Sequence, residues 1–132
     1  MKVTIEQILD FNGSVENFLE KPLNIKTAYK LAMIKRQTDE QTDFYQTSFF
    51  KILNEYGKKD ENGELQRVKE GVNEGNVLIQ EDKLEECNDA ISDLMGLEVE
   101  INNYNLKLGD FGDMEVSADD LSTIIPFLSE EE

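Results

Sequence analysis

Carboxylates are the only groups present in quantity that could do chemistry in this 132-residue chain. It carries 29 Asp and Glu, a single cysteine (Cys87), and neither His nor Trp. Glu85/Asp89, Asp89/Asp93 and Glu98/Glu100 each fall on a shared face at helix or strand spacing. Paired carboxylates can hold a hard cation or move a proton. In so acidic a chain, however, such spacings also arise as plain solvated surface. Other reactive constellations are excluded by composition. Without His there is no Ser-His-Asp or Cys-His system and no His-ligated metal. One thiol cannot build a zinc-thiolate cluster, and no glycine-rich phosphate loop occurs. Asp60-x-Asn62-Gly63 fits early positions of a calcium loop, but Lys58 and Lys69 would then stand at its first and last ligand positions. Asp110-Phe111-Gly112 spells a kinase triplet without the other kinase motifs. The expectation is a protein that is not an enzyme and has no catalytic residue, no metal ligand set and no cofactor.

The net charge is −16. From Glu81 to Glu132 there are 16 acidic and two basic residues (Lys83 and Lys107), a net of −14; the first 80 residues net −2. Such a surface repels phosphate backbones, so direct nucleic-acid binding is not expected. The excess charge either keeps the protein soluble or mimics nucleic acid in the basic groove of a nuclease. No run approaches the ~20 apolar residues needed to cross a bilayer, so no membrane partner is expected. MKVTIEQILD lacks a basic start followed by an apolar run, so no signal peptide is expected. A lone Cys suits a reducing cytoplasm.

The element that must position everything else is Leu23–Tyr56. Pro22 and Gly57 bracket 34 residues free of Gly and Pro, which predicts one helix of ~50 Å. Ile25, Ala28, Tyr29, Ala32 and Met33 form one apolar patch, and Tyr45, Phe49, Ile52, Leu53 and Tyr56 another. Lys35–Asp43 between them has no apolar side chain and reads as a solvated waist or a polar groove for a partner. Thr4 with Gln7 predicts a capped N-terminal helix that Asn12-Gly13 breaks; Ser14 then caps a second short one. Asn24 is the N-cap of the long helix. Leu65–Glu70 and Asn76–Gln80 read as arms of a hairpin. Glu81–Met95 is a helix with Leu84, Cys87, Ile91 and Leu94 on one stripe. Leu97–Leu108 alternates as strand with a slip at Asn102-Asn103. Ser117 with Asp120 caps a last helix ended by Pro126.

The predicted fold is a single domain, residues 1–132, of the α+β class and predominantly helical. A long antiparallel helical hairpin carries short flanking helices and a small antiparallel β-sheet drawn from 65–80 and 97–108. The expected core includes Leu31, Ile34, Phe49, Ile52, Leu53, Leu84, Ile91 and Leu94, and 129–132 is an acidic tail.

Pro22-Leu23-Asn24-Ile25-Lys26-Thr27-Ala28-Tyr29-Lys30-Leu31-Ala32 opens the long helix and Tyr56-Gly57-Lys58-Lys59-Asp60-Glu61-Asn62-Gly63 closes it. Leu97-Glu98-Val99-Glu100-Ile101, Leu106-Lys107-Leu108, Ser117-Ala118-Asp119-Asp120-Leu121 and Pro126-Phe127-Leu128 follow. In this order the pieces resemble a family of small uncharacterised proteins of tailed phages and prophages of Gram-positive bacteria. The resemblance covers most of the chain and fits least over Leu65–Gln80. It brings no activity and no catalytic residue. It implies a viral protein in the cytoplasm of the infected bacterial host, or associated with the virion.

The functional expectation is therefore protein–protein interaction, as an accessory of virion or tail assembly or as a host-directed factor. The alternative is an acidic, anti-defence inhibitor of a host nuclease. Phe44, Tyr45, Phe49 and Phe50 are more aromatics than one stripe can bury, which makes a homodimer one of the possible partners. The candidate partner-binding residues are Phe44, Tyr45 and Phe50, with Glu85, Asp89 and Asp93 for the acidic reading.

Overall fold

Asn24 begins the long helix. Its side-chain oxygen accepts the Lys26 N–H at 2.8 Å, and its carbonyl accepts the Ala28 N–H at 2.9 Å. That is the N-cap geometry, in which a side chain satisfies a backbone donor that has no partner inside the helix. In the computed structural model, which describes residues 1–129, four helices and two strands follow in the order β1 (Lys2–Thr4), α1 (Ile5–Leu19), α2 (Ile25–Tyr56), α3 (Leu84–Met95), β2 (Glu98–Glu100) and α4 (Ala118–Ile124). The acidic tail expected at 129–132 lies, apart from Ser129, outside the described residues. Three short 3-10 turns complete the described chain: Glu81–Lys83, Leu108–Phe111 and Ile125–Phe127. The protein is thus a predominantly helical α+β molecule with a 32-residue helix and one two-stranded antiparallel sheet.

The chain divides into two compact units, Met1–Asp43 with Gly96–Glu132, and Phe44–Met95. In the first, β1 pairs antiparallel with β2, setting Lys2 opposite Glu100, Val3 opposite Val99 and Thr4 opposite Glu98. Thr4 both ends the strand and caps α1. Its hydroxyl accepts the Gln7 N–H at 3.2 Å, and the Gln7 side chain accepts the Thr4 N–H at 2.9 Å, the reciprocal box expected from their spacing. The core is built on α1, whose Ile5, Ile8, Phe11, Val15 and Phe18 are buried together with Leu31, Ile34, Ile101, Leu106, Ile124 and Phe127. Phe127 packs its ring 4.5 Å from that of Phe11, so the segment after Pro126 does tuck back. Ser117 caps α4 by accepting the Asp120 N–H at 3.1 Å.

Four expectations are corrected in this unit. Asn12-Gly13 does not break the first helix, because α1 runs unbroken from Ile5 to Leu19 and Ser14 lies buried inside it. A helical Gly costs only about 1 kcal/mol, and Asn12 is held by two side-chain hydrogen bonds to α2, to Thr38 at 2.7 Å and Thr42 at 2.6 Å. Second, Lys35–Asp43 is not a solvated waist. Thr38 is fully buried and Thr42 half-buried, so the inward stripe of Thr27, Leu31 and Ile34 continues through the middle of α2 in threonine instead of leucine. Third, the apolar patch of Ile25, Tyr29 and Ala32 faces solvent, Ile25 being 83% and Tyr29 61% exposed. Fourth, the sheet does not join 65–80 to 97–108. Of Leu97–Leu108 only Glu98–Glu100 is strand, and its partner is the N-terminal Lys2–Thr4. Asn103 stops it by accepting the Asn105 N–H at 2.8 Å, and Asn105 then adopts φ +60°, outside any strand.

In the second unit the C-terminal half of α2 runs into Gly57. From there residues 57–80 form three extended pieces that close on one another. The Lys58 N–H donates to the Leu78 carbonyl at 2.7 Å, the Leu78 N–H to Gln66 at 2.9 Å, and the Gln66 N–H back to Lys58 at 2.8 Å. This three-way ring contains the expected 65–80 hairpin, bridged at Arg67 and Val77. It exists as isolated bridges and not as a ladder. The ring returns the chain to the end of α2, where the Gln80 N–H meets the Tyr56 carbonyl at 3.0 Å. α3 then runs back along α2, with Phe49 and Leu53 lining one groove with Cys87 and Ile91. Cys87 and Leu94 are buried, but Leu84 is 52% exposed and does not belong to the core. Phe49, Ile52, Leu53 and Ile91 are half-buried, as a layer of two helices and a hairpin allows.

Candidate functional site

The proposed partner residues on α2 point in different directions, and helical spacing dictates how. Successive residues turn by about 100°, so a stripe at Thr38, Tyr45 and Phe49 is one face, and Phe44 and Phe50 lie about 120° to either side of it. The burial follows. Tyr45 is half-buried and stacks on Phe49, with ring centroids 5.5 Å apart and planes 19° apart. Phe44 and Phe50 are 46% and 56% exposed. Phe44 and Phe50 are therefore available to a partner, and Tyr45 supports the helix from beneath. Ile25 and Tyr29, read from the sequence as packing residues, belong with the exposed set. With Tyr104, they surround a shallow apolar hollow of about 420 Å³ rimmed by Lys26 and Lys30. Their exposure follows from the neighbouring positions: Thr27 and Leu31 take the inward direction, and a helix buries only one stripe.

Glu85, Asp89 and Asp93 do share one face of α3. All three are exposed, on the side away from Cys87 and Leu94. Four residues of helix advance ~6 Å, so the row is evenly spaced along the axis. Among the described residues no three Asp, Glu or Cys side chains come together as a metal-holding group. The row is an exposed charged strip.

The groups with shifted ionisation all sit in structural roles. The Lys30 ammonium lies 2.8 Å from Asp110 Oδ2 and, aided by the Lys107 N–H at 2.9 Å, holds the Asp110 carboxyl below the ordinary range. Lys30 also donates to the Asn105 carbonyl at 2.9 Å, and the Thr27 hydroxyl donates to the Asp110 carbonyl at 2.9 Å. The letters Asp-Phe-Gly thus encode a staple between a loop and α2. Burial raises the Cys87 thiol above its ordinary value. That direction disfavours the thiolate and with it nucleophilic or redox work. The Tyr56 hydroxyl is also raised, chiefly by desolvation and then by Glu55 and Glu86. Lys35 is raised by its hydrogen bond to Asp39 at 2.8 Å.

No helix of the described chain is long and apolar enough to cross a membrane. No family model, curated protein or solved structure matches the chain.

Proposed function

We propose that this chain is a non-enzymatic, phage-type protein that acts by protein–protein contact, as an accessory of virion or tail assembly or as a host-directed factor in the infected cell. The observation that carries this reading is the exposure of Phe44 and Phe50 on a helix whose opposite face is already buried. Aromatic residues are enriched at protein interfaces relative to the rest of the surface. The chemistry of the titratable groups supports the same reading. The one thiol is buried with its pKa raised, and the depressed carboxyl of Asp110 is tied to Lys30.

The test is the double variant Phe44→Ser/Phe50→Ser, checked by circular dichroism for unchanged helix content and assayed for function during infection. Loss of function with the fold intact is expected, and full function in that variant overturns the reading. Mass spectrometry of purified particles then separates a virion component from an intracellular factor.

One observation favours a second reading, an acidic inhibitor that occupies the basic groove of a host nuclease. Glu85, Asp89 and Asp93 form an exposed row without basic residues among them. Binding by such a row weakens steeply with salt. Neutralising all three, as Glu85→Gln, Asp89→Asn and Asp93→Asn, abolishes inhibition under this reading; inhibition that survives the change removes it.

A further inference from the structure

We propose that the outward stripe of α2 from Ile25 to Arg36 is a docking face for an acidic amphipathic helix of a partner protein. This rests on the reading that the chain works by protein contact, and it states the chemistry of the partner.

The whole face lies in the first compact unit. At about 100° per residue, Ile25, Tyr29, Ala32 and Arg36 fall within about 60° of one another. All four are exposed, Ile25 at 83% and Tyr29 at 61%. Tyr104, from the loop after β2, joins Ile25 and Tyr29 around the apolar hollow of about 420 Å³. Ala32 lies on the same stripe beyond Tyr29, and its small side chain lets a second helix approach closely.

Charge complementarity says what covers this face. From Lys21 to Arg36 stand five basic residues and no acidic one, in a chain of 29 acidic and 13 basic residues. Three of the five are engaged. Lys21 donates to the Glu115 carbonyl, Lys30 pairs with Asp110 at 2.8 Å, and Lys35 pairs with Asp39 at 2.8 Å. Lys26 and Arg36 form no ion pair among the described residues. Arg36 touches the Met33 sulfur at 3.9 Å, a weak acceptor. The two cations stand near opposite ends of the stripe, about 15 Å apart along the axis. Lys26 is turned about 60° to one side of Tyr29 and Arg36 about 20° to the other. Exposed Glu40, one turn beyond Arg36, closes the positive stretch.

The backbone N–H and C=O groups of a helix are paired along its own axis. An extended peptide therefore gains no main-chain hydrogen bonds on this face, as it would at a sheet edge. A helical partner arrives with its own backbone satisfied. Its apolar residues at i and i+4 advance by the same ~6 Å as Ile25 and Tyr29. Carboxylates at the two ends of its apolar stripe then meet Lys26 and Arg36. Exposed ion pairs contribute little affinity; here they select the sign of the partner, and the apolar stripe supplies the attraction. A broad anionic surface fits less well, because the acidic remainder of the chain would be repelled by it.

The test is amide NMR of the full chain titrated with two synthetic helical peptides. One carries leucines at i and i+4 among glutamates; the other has lysines in place of the glutamates. The acidic peptide is expected to shift the amides of Ile25, Tyr29, Ala32, Arg36 and Tyr104, and to bind more weakly as salt is raised. Lys26→Glu/Arg36→Glu should weaken it by about tenfold or more, and Tyr29→Ser should remove the shifts. These positions are exposed, so circular dichroism should show unchanged folding. No shift at millimolar peptide, equal binding of the two peptides, or an affinity indifferent to the charge reversal overturns the proposal. Shifts on this face with phosphatidylserine vesicles or a DNA duplex, and none with the acidic peptide, overturn it and assign the face to a membrane or to nucleic acid. Full function of Lys26→Glu/Arg36→Glu during infection, where Phe44→Ser/Phe50→Ser has lost it, overturns this partner alone and leaves the protein-contact reading standing.

Discussion

The Thr38 hydroxyl, fully buried, donates at 2.7 Å to the side-chain oxygen of half-buried Asn12 where α1 meets α2. The network closes through Thr42, which accepts the Asn12 amide at 2.6 Å and donates to the Thr38 carbonyl at 3.0 Å. Thr38→Val keeps the shape and deletes the donor, leaving the Asn12 oxygen without that partner. The expected cost is about 1–3 kcal/mol, measured as a lower urea midpoint at unchanged slope. Replacing Asn12 as well, as Asn12→Leu/Thr38→Val, should recover part of it, because an apolar pair leaves no buried oxygen unsatisfied.

Gly57 is fixed by space. A Cβ there would stand 2.5 Å from the Leu53 carbonyl oxygen and 2.6 Å from Leu65 Cδ2. The carbonyl belongs to the last turn of α2 and cannot swing away, since it accepts the Gly57 N–H at 2.8 Å. Gly57→Ala should therefore open the three-way ring, at about 1–3 kcal/mol by analogy with overpacked cores. Hydrogen exchange localises the effect. The amides of Lys58, Gln66 and Leu78 should lose protection, and the Ile101 amide, bonded to the Met1 carbonyl at 2.9 Å, should keep its own.

What could be read from the sequence divides along the range of the interactions. The caps at Thr4, Asn24 and Ser117 are local, and each is found where residue spacing puts it. The length of α2 is legible for the same reason, since nothing between Pro22 and Gly57 stops a helix. The pairing of Lys2–Thr4 with Glu98–Glu100 joins residues nearly a hundred positions apart through strands too short to show alternation. Its hydrogen bonds leave no local trace. The direction of α2 is not legible at Ile25 and Tyr29, because apolar character alone does not fix which face of a helix is covered. The inward positions there are Thr27, Leu31 and Thr38, two of them threonines. Of the candidate site, the acidic row on α3 was legible from spacing alone. The division between half-buried Tyr45 and exposed Phe44 and Phe50 depends on which face α3 and the hairpin cover.

The Lys30–Asp110 staple makes stability depend on pH at the acid end. The folded Asp110 carboxyl is held below its ordinary value by Lys30 first and the Lys107 N–H second. A depressed folded value stabilises the protein above the unfolded pKa of about 3.9, and this stabilisation is lost as pH falls through the folded value. Asp110→Asn should cost about 1–2 kcal/mol near neutrality. The difference between wild type and variant should shrink below about pH 4, where the unfolded carboxyl takes up a proton while the folded one still resists it, and should be gone once pH has fallen through the folded value. Thermal melts of both proteins across that range check it; curves that stay parallel to the lowest pH would contradict the staple.

Cys87 is 1% exposed, and burial raises its thiol pKa. Disulfide-forming reagents attack through the thiolate, so two barriers stand between reagent and sulfur: access and ionisation. At mildly alkaline pH the native protein should react far more slowly than its urea-unfolded form. In intermediate urea the rate should track the population of molecules in which the Phe44–Met95 unit has opened. Cys87→Ala removes the sulfur from beside Phe49, Leu53 and Ile91, which line the same groove, at about 1 kcal/mol, the scale of one lost buried methylene. Since the thiol serves only as a small apolar filler, that variant should keep full function wherever it remains folded. A native thiol that reacts at the unfolded rate would contradict this account, as would a folded Cys87→Ala protein without function.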